Sequence, residues 1–419
     1  MPSFATALTG LESNNTALNT IANNLANMST VGYKDQTDQF STLFYQQLNG
    51  GVNGGVQVGV GTQVSTTETD FSNGSPTPTA QSTDMALQGN GFFVVNDNGQ
   101  QELTRAGDFV QSQSGALQTT SGASVMGYPA VNGTLSLGSG VQPIILPLGQ
   151  TLAAKQTGSM NIQANLDASA AIGTTVPAPV TLYDSLGAAH QATVTFTKTA
   201  ANTWGYSIAL PAGEATGIPT GTTDTGTLNF DGFGNLTSST DSLGNLTSPP
   251  GSINGISFAG LSDGASAMNF SWNLSGAAGS SITQTASTSN VASATQDGYA
   301  SGSYQGFSVD GNGIVDANFS NGQKQVIGQV AVASVANMQG LQATNNTAYL
   351  ATLASGSAVI GTAGVAGNGT IEGQALESSN VDVSTEFSAL IVAQRAFEAN
   401  SKSITTFDQA TQEAINMIH

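Results

Sequence analysis

Cysteine is absent from the 419 residues, so the fold has no disulfide framework and no thiolate chemistry. Basic residues are nearly absent too: Lys and Arg total 7 against 26 Asp and Glu, a formal charge of -19. That balance repels phosphate backbones and offers no basic stripe for counterion release, which argues against nucleic acid as a partner. No Lys or Arg occurs between Lys198 and Lys324, so anionic membrane surfaces are disfavoured for the same reason. Long apolar runs are missing as well. The nearest, Val326 to Ala336, falls far short of the ~20 residues of a membrane span, so no membrane insertion is expected. The first Lys is Lys34 and the opening is amphipathic, so no secretory signal is visible; any export is expected to proceed without a cleaved leader.

Histidine is limited to His190 and His419, and without cysteine an ordinary zinc site would have to recruit carboxylates. Asp310-Gly311-Asn312-Gly313 followed by Asp316 has a superficial likeness to a calcium loop. Ile314 stands where an oxygen ligand is required and Val315 where glycine should turn, so a hairpin turn is the better reading. His190 follows Tyr183-Asp184-Ser185-Leu186-Gly187, but no nucleophile elbow accompanies it, and it reads as a turn-proximal surface residue rather than part of a triad. The glycine clusters Asn49-Gly50-Gly51 and Asn53-Gly54-Gly55 lack both the dinucleotide fingerprint and the Lys-Ser/Thr ending of a P-loop, and read as a hinge. No cofactor, catalytic residue or metal ligand is expected, and the chain is not expected to be an enzyme.

What remains is a coat built chiefly of uncharged polar groups. Only 8% of residues are charged and glycine numbers 51, so Ser, Thr, Asn and Gln must build the surface. Apolar residues recur with helical spacing at both ends. Near the N-terminus the stripe is Phe4, Leu8, Leu11, Leu18, Leu25 and Met28, with Asn15 and Ala22 filling the remaining places. Near the C-terminus it is Val383, Phe387, Leu390, Phe397, Ile404, Thr411, Ile415 and Ile418, after Asp382 as a predicted N-cap with Glu386 in the first turn. Glu398 precedes Lys402 by four, the favourable order for a helix ion pair. The second helix would be about 50 Å long and needs a partner along its length. Mutual packing of the two helices alone would leave apolar surface open, so burial against neighbouring copies is the sharper expectation.

Between the ends the pattern is strand and turn. Met160, Ile162, Ala164 and Leu166 alternate with polar residues, as do Trp204, Tyr206, Ile208 and Leu210, and Met268, Phe270, Trp272 and Leu274. Phe92 to Val95 is a continuous apolar run closed by a turn. Gly234-Asn235-Leu236-Thr237-Ser238 returns ten residues on as Gly244-Asn245-Leu246-Thr247-Ser248, which suggests one duplicated hairpin. The expected fold is mainly β with terminal α-helices: nested antiparallel β-sandwich or barrel domains and a coiled-coil pair formed by the N- and C-terminal helices. Expected boundaries are 1–33 with 376–419 for the helical part, 34–70 for a glycine-rich linker, 71–150 with 286–375 for an inner β domain, and 151–285 for an inserted outer β domain.

Asn23-Asn24-Leu25-Ala26-Asn27 followed by Thr30-Val31-Gly32-Tyr33-Lys34 resembles the N-terminal signature of the axial rod and hook family of the bacterial flagellum. Leu376-Glu377-Ser378-Ser379-Asn380-Val381-Asp382 and Ala393-Gln394-Arg395-Ala396-Phe397 resemble its C-terminal signature. Gly89-Asn90-Gly91-Phe92-Phe93 and Thr104-Arg105-Ala106-Gly107-Asp108-Phe109 look like its inner β domain, and Val180-Thr181-Leu182-Tyr183-Asp184-Ser185 like the outer domain that hook-type members add. The resemblance is loosest from 200 to 285.

It implies a structural subunit that is exported unfolded through the flagellar export apparatus and polymerises with itself into a curved tube, a flexible joint that carries motor torque to the filament. Rod, hook-cap and hook–filament junction proteins would be its partners, in the flagellar basal body and hook outside the cell. Asn23, Asn24, Asn27, Gly32, Tyr33, Asn380, Asp382, Gln394 and Arg395 are the motif positions carried over. Phe4, Leu8, Leu11, Leu18, Leu25, Phe387, Leu390, Phe397, Ile404 and Ile415 form the expected assembly interface. A distal rod-type subunit and a monomeric extracellular β-rich adhesin stay open as alternatives.

Overall fold

Proline is welcome at the first position of a helix, where no N–H is needed, and Pro2 opens α1, Pro2–Ala26. A computed structural model of the protein describes residues 2–48, 56–215, 224–276 and 279–417, so Gly50 to Gly55, Ile418 and His419 lie outside the described residues. The second helix, α2, runs Val383–Asn416 and starts as expected: the Asp382 carboxylate accepts from the backbone N–H groups of Ser384 at 2.8 Å and Thr385 at 3.1 Å. Glu398 and Lys402 do not reach ion-pair distance. No helix among the described residues is long and apolar enough to cross a membrane.

The chain divides into two compact units, residues 1–148, 306–318 and 324–419, and residues 149–305 with 319–323. In the first unit α1 packs against α2 and against a β-ribbon in which Gln36–Thr42 pairs antiparallel with Thr62–Thr69. The stretch 34–70, read as a linker, thus holds paired strands: Tyr45–Leu48 also pairs with Val56–Gly59. Five strands, Lys324–Ser334, Ser124–Val131, Phe92–Asp97, Gln100–Thr104 and Ala348–Leu350, follow one another across an antiparallel sheet. The apolar run Phe92 to Val95 does not alternate because both of its faces are covered. Phe92 meets Phe71 and Tyr349 edge-on, while Phe93 meets Phe109.

The second unit places two sheets around one core. One is a meander of Thr175–Tyr183, Ala189–Ala200, Thr203–Ala209, Asp224–Phe230, Leu236–Thr240 and Leu246–Thr247. The other contains Ser159–Asp167, Ser252–Phe258, Met268–Asn273, Ile282–Thr285 and Asn290–Gln296. Burial alternates along Ser159–Asp167, Thr203–Ala209 and Met268–Asn273 as their spacing requires. Not every pairing is antiparallel: Ser159–Asp167 runs parallel to Met268–Asn273 and to Ile282–Thr285. The whole meander separates these partners in sequence, and so long a crossover lets the chain return in the same direction.

One turn is used repeatedly. At Asp231 and at Asp241 the carboxylate Oδ1 accepts from the N–H groups two and four residues on, and the residue three on donates back to the Asp carbonyl. This is the duplicated hairpin, and the same bonds recur at Asp184 and Asp310. The Asp310 segment is therefore a hairpin turn, as expected. Gly234 shows why glycine closes it: φ is +85° and an added Cβ would lie 2.0 Å from the Gln284 carbonyl oxygen. His190 departs from expectation. It is 5% exposed, not a surface residue, because strand Ala189–Ala200 carries it inward beside the Asp184 turn.

Trp204 and Trp272 are both fully buried in this core, yet among the described residues only Trp204 has a partner for its indole N–H, Gln284 Oε1 at 3.2 Å. Trp204→Phe leaves that acceptor unsatisfied, whereas Trp272→Phe removes an orphaned donor. Urea unfolding of the two variants is expected to show Trp204→Phe as the more costly by about 1–3 kcal/mol.

Candidate functional site: the junction of the terminal segments

Buried polar groups must be paired, and the first unit buries an unusual set of them where the chain leaves α1 and enters α2. Lys34, Arg105 and Glu377 are almost wholly inaccessible. Glu377 Oε1 accepts from Lys34 Nζ at 2.6 Å and from the Gly74 N–H at 2.9 Å, while its Oε2 accepts from Arg105 Nη1 at 3.3 Å. Backbone carbonyls take the remaining donors: Ser72 from Lys34 at 2.6 Å, Leu87 from Arg105 at 3.1 Å, and Gly89 from Arg105 at 2.7 Å. Burial pushes the Lys34 ammonium and the Arg105 guanidinium below their ordinary pKa ranges, and Glu377 pulls both back up. Gly32, at φ +67°, donates its N–H to the Glu377 carbonyl at 2.9 Å; a Cβ there would sit 2.5 Å from the Ala106 nitrogen.

A second network joins the helices themselves. Asn24 uses both ends of its amide: Oδ1 accepts from Tyr33 Oη at 3.0 Å and the Gln36 N–H at 3.2 Å, and Nδ2 donates to the Gln36 carbonyl at 2.8 Å and Glu386 Oε2 at 3.3 Å. Asn23 donates to Tyr33 Oη at 3.1 Å, and Asn27 folds back on Asn23. Asn380 accepts from the Asp35 N–H at 2.8 Å and donates to the Asp70 carbonyl at 2.9 Å. Burial raises the Glu386 carboxyl, against the bond from Asn24 and with help from Asp35. Tyr33 is pushed up to about 12 by burial, with Asp35 and Glu386 adding to it.

Seven motif positions, Asn23, Asn24, Asn27, Gly32, Tyr33, Asn380 and Asp382, therefore fall in or beside this junction. Gln394 and Arg395 do not: they stand exposed on α2 without a hydrogen-bond partner among the described residues. Sequence reasoning placed Glu386 only as a first-turn acid and carried Lys34, Arg105 and Glu377 inside motifs without a role, although charge so scarce is itself a signal.

The apolar stripes fare differently from the motifs. The contacts between Gly10 and Asn400 and between Asn24 and Glu386 fix an antiparallel helix pair, and a Cβ on Gly10 would come within 3.0 Å of the Asn400 amide. Buried helix positions are small or polar, Ala7, Gly10, Ser13, Asn24, Glu386 and Ala393. Leu11, Leu18, Leu25, Leu390, Phe397 and Ile404 are half-buried, and Phe4, Leu8, Phe387 and Ile415 are exposed.

Removing one member of a buried ion cluster leaves the others uncompensated, so Glu377→Gln is expected to destabilise the first unit by roughly 3–5 kcal/mol in denaturant melts. Glu386 gives a pH signature. Its folded pKa is raised, so its contribution favours the folded state below its unfolded pKa and is lost as pH rises through the folded one. Glu386→Gln, which keeps an acceptor for Asn24, is expected to raise the melting temperature at pH 7 and to weaken the melting temperature's dependence on pH between 4 and 7.

Family models match the chain along its length. Residues 4–34 match the flagella basal body rod protein, 86–174 the flagellar hook protein FlgE/F/G D1 domain, 151–299 the flagellar basal body protein FlaE D2 domain, and 372–417 the flagellar basal body rod FlgEFG protein C-terminal region. The flagellar hook protein FlgE of Salmonella typhimurium is 34% identical over 99% of this chain and 100% of its own length. That of Treponema pallidum is 32% identical over 100% of this chain and 99% of its own. The crystal structure of Helicobacter pylori flagellar hook protein FlgE2 shares the fold, with a TM-score of 0.54 and 14% identity over 72% of this chain and 100% of that one. With sequence similarity that runs end to end and four family models falling in order, the chain belongs to the flagellar hook protein family.

Proposed function

We propose that the open faces of α1 and α2 are the assembly surface, covered in the polymer by the same helices of neighbouring subunits. Members of the family are structural subunits that polymerise into the flagellar hook, and this chain is one of them. The observation that carries the finer reading is the exposure of large apolar residues on α2: Phe387 is 52% exposed, Ile391 50%, Val392 68% and Ile415 54%, beside Phe4 at 43% and Leu8 at 40% on α1. An area of that kind on two helices held by a seam of small residues is unfinished packing. A head-to-tail contact that does not close yields a helical tube.

In such a tube segments 1–33 and 376–419 form the helical layer through which the copies join. The weakly charged Ser, Thr and Asn surface lets outer parts exchange hydrogen-bond partners and water bridges at small cost as the tube bends and passes torque. Rod, hook-cap and junction proteins are the proposed partners at its ends, and export as an unfolded chain is the proposed route. The adhesin alternative assigns the helices no such role.

Sedimentation and electron microscopy of Phe387→Ser combined with Ile391→Ser test this. The unaltered chain is expected to pellet as tubes; the double variant should stay in the supernatant at the same concentration with unchanged melting of its β units. Tubes formed equally well by the variant would remove α2 from the interface.

A further inference from the structure

The second unit contains a side-chain cluster that assembly through the helices does not use. His190 Nδ1 lies 2.9 Å from Glu214 Oε2, and its Nε2 lies 3.1 Å from Asp184 Oδ2 and 3.7 Å from Asp263 Oδ2. Each flanking Asp is fixed by its own backbone. Asp184 Oδ1 holds the N–H groups of Leu186 and Ala188, and Asp263 Oδ1 holds that of Ala265 at 3.0 Å, so in both cases Oδ2 faces the imidazole, and the two carboxyls also engage each other. Glu214 is placed by the bond from the Ser262 N–H to its carbonyl at 2.9 Å, which ties its turn to the one carrying Asp263.

Three carboxylates thus surround one imidazole, and the unit's two basic residues are committed elsewhere. Lys155 pairs with Asp297 at 3.1 Å, and Lys198 donates to the Ala168 carbonyl. A proton on Nε2 reaches Asp184 but not Asp263, which stands beyond hydrogen-bond length of the ring. A metal ion at this point would bind both. Ligand atoms about 2.1 Å from one ion stand roughly 3.0–3.4 Å apart; the His190 nitrogen stands 3.1 Å from Asp184 Oδ2 and 3.7 Å from Asp263 Oδ2, so the three atoms need only a small closure to hold one ion. Glu214 on Nδ1 completes the pattern: a carboxylate there holds the proton on Nδ1 and turns the Nε2 lone pair toward the ion.

We propose that Asp184, His190 and Asp263 bind a divalent first-row transition-metal ion, with Glu214 as the positioning residue. One nitrogen and two carboxylate oxygens suit zinc and its neighbours, whereas magnesium and calcium take oxygen ligands alone. The ion ties together the Asp184 turn, the strand start at His190 and the turns at 211–214 and 261–264. Its role is structural.

Equilibrium dialysis of dilute, EDTA-treated full-length chain against Zn²⁺, with Mg²⁺ as the control ion, tests the proposal. One Zn²⁺ per chain is expected, competed poorly by Mg²⁺ and accompanied by a higher melting temperature of the second unit. Asp263→Asn should lose the site, and Glu214→Gln should bind about 10- to 100-fold more weakly. In the unaltered protein, the imidazole ¹⁵N spectrum of His190 should move to a metal-bound Nε2 with an Nδ1 proton. Zn²⁺ uptake unchanged in Asp263→Asn, or a His190 spectrum indifferent to Zn²⁺, overturns the proposal and leaves a proton as the only cation of the cluster.

Discussion

The Glu377 carboxylate, held between Lys34 and Arg105, is the constraint on which the first unit depends. It gathers segments that are far apart in sequence: the exit of α1, the connecting segment at residues 72–74, Arg105 just after the strand Gln100–Thr104, and the approach to α2. Buried charge is a poor source of stability, since desolvation offsets much of the attraction. What it supplies is position. A Lys in hydrocarbon with its one carboxylate misplaced has no acceptable alternative, so the chain has one way to leave α1 and one way to enter α2. The Asn24 amide then fixes the two helices to each other at the same end. Registry of the apolar stripes follows from that anchorage and not from the stripes themselves.

The second unit is stabilised on other terms. Its core is a continuous apolar cluster from two sheets, and its loops are standardised by Asp-led turns that satisfy their own backbone. Few charges remain on the surface to fix one arrangement against a neighbour. A rigid interior beneath an exchangeable exterior suits a part whose contacts change while its fold does not. The same scarcity of positive charge makes the His190 cluster conspicuous, because three carboxylates have drawn together with nothing but an imidazole between them.

Much of this was legible in the sequence, and the failures have causes. Period-two runs such as Met160 to Leu166 became strands with the expected buried face, since one side of each meets the core. Asp382 capped α2 because local capping needs only neighbours in sequence. The small-residue seam of the helix pair had no signal in the apolar periodicity, for a physical reason: Ala7, Gly10 and Ser13 allow close approach, so the helices meet along small residues and turn the larger Leu and Phe partly outward. The parallel pairings of Ser159–Asp167 were hidden because its partners lie beyond the entire meander. His190 looked peripheral beside a turn, yet the Glu214 and Asp263 turns that enclose it come from distant parts of the chain. Signature motifs located the terminal junction but could not show that Lys34 and Arg105 share one carboxylate, nor that Gln394 and Arg395 would stand outside it.

Helix length carries the argument one step further. The antiparallel register set by Gly10 against Asn400 and Asn24 against Glu386 brings Pro2 roughly level with Asp408. Beyond that point α2 has no α1 beside it, and every residue from Thr405 to Met417 is exposed. An isolated helical end of that kind is sustained by little more than its own hydrogen bonds, which are marginal in water. Ile415 and Met417, 54% and 81% exposed, give it apolar surface to bury. If a neighbouring copy supplies the cover, ordering of this end and addition of a subunit are a single equilibrium. The conformational entropy of the tip then opposes each addition and the burial of its apolar residues favours it, so a solitary chain holds its extremity weakly while the same extremity in the tube is locked.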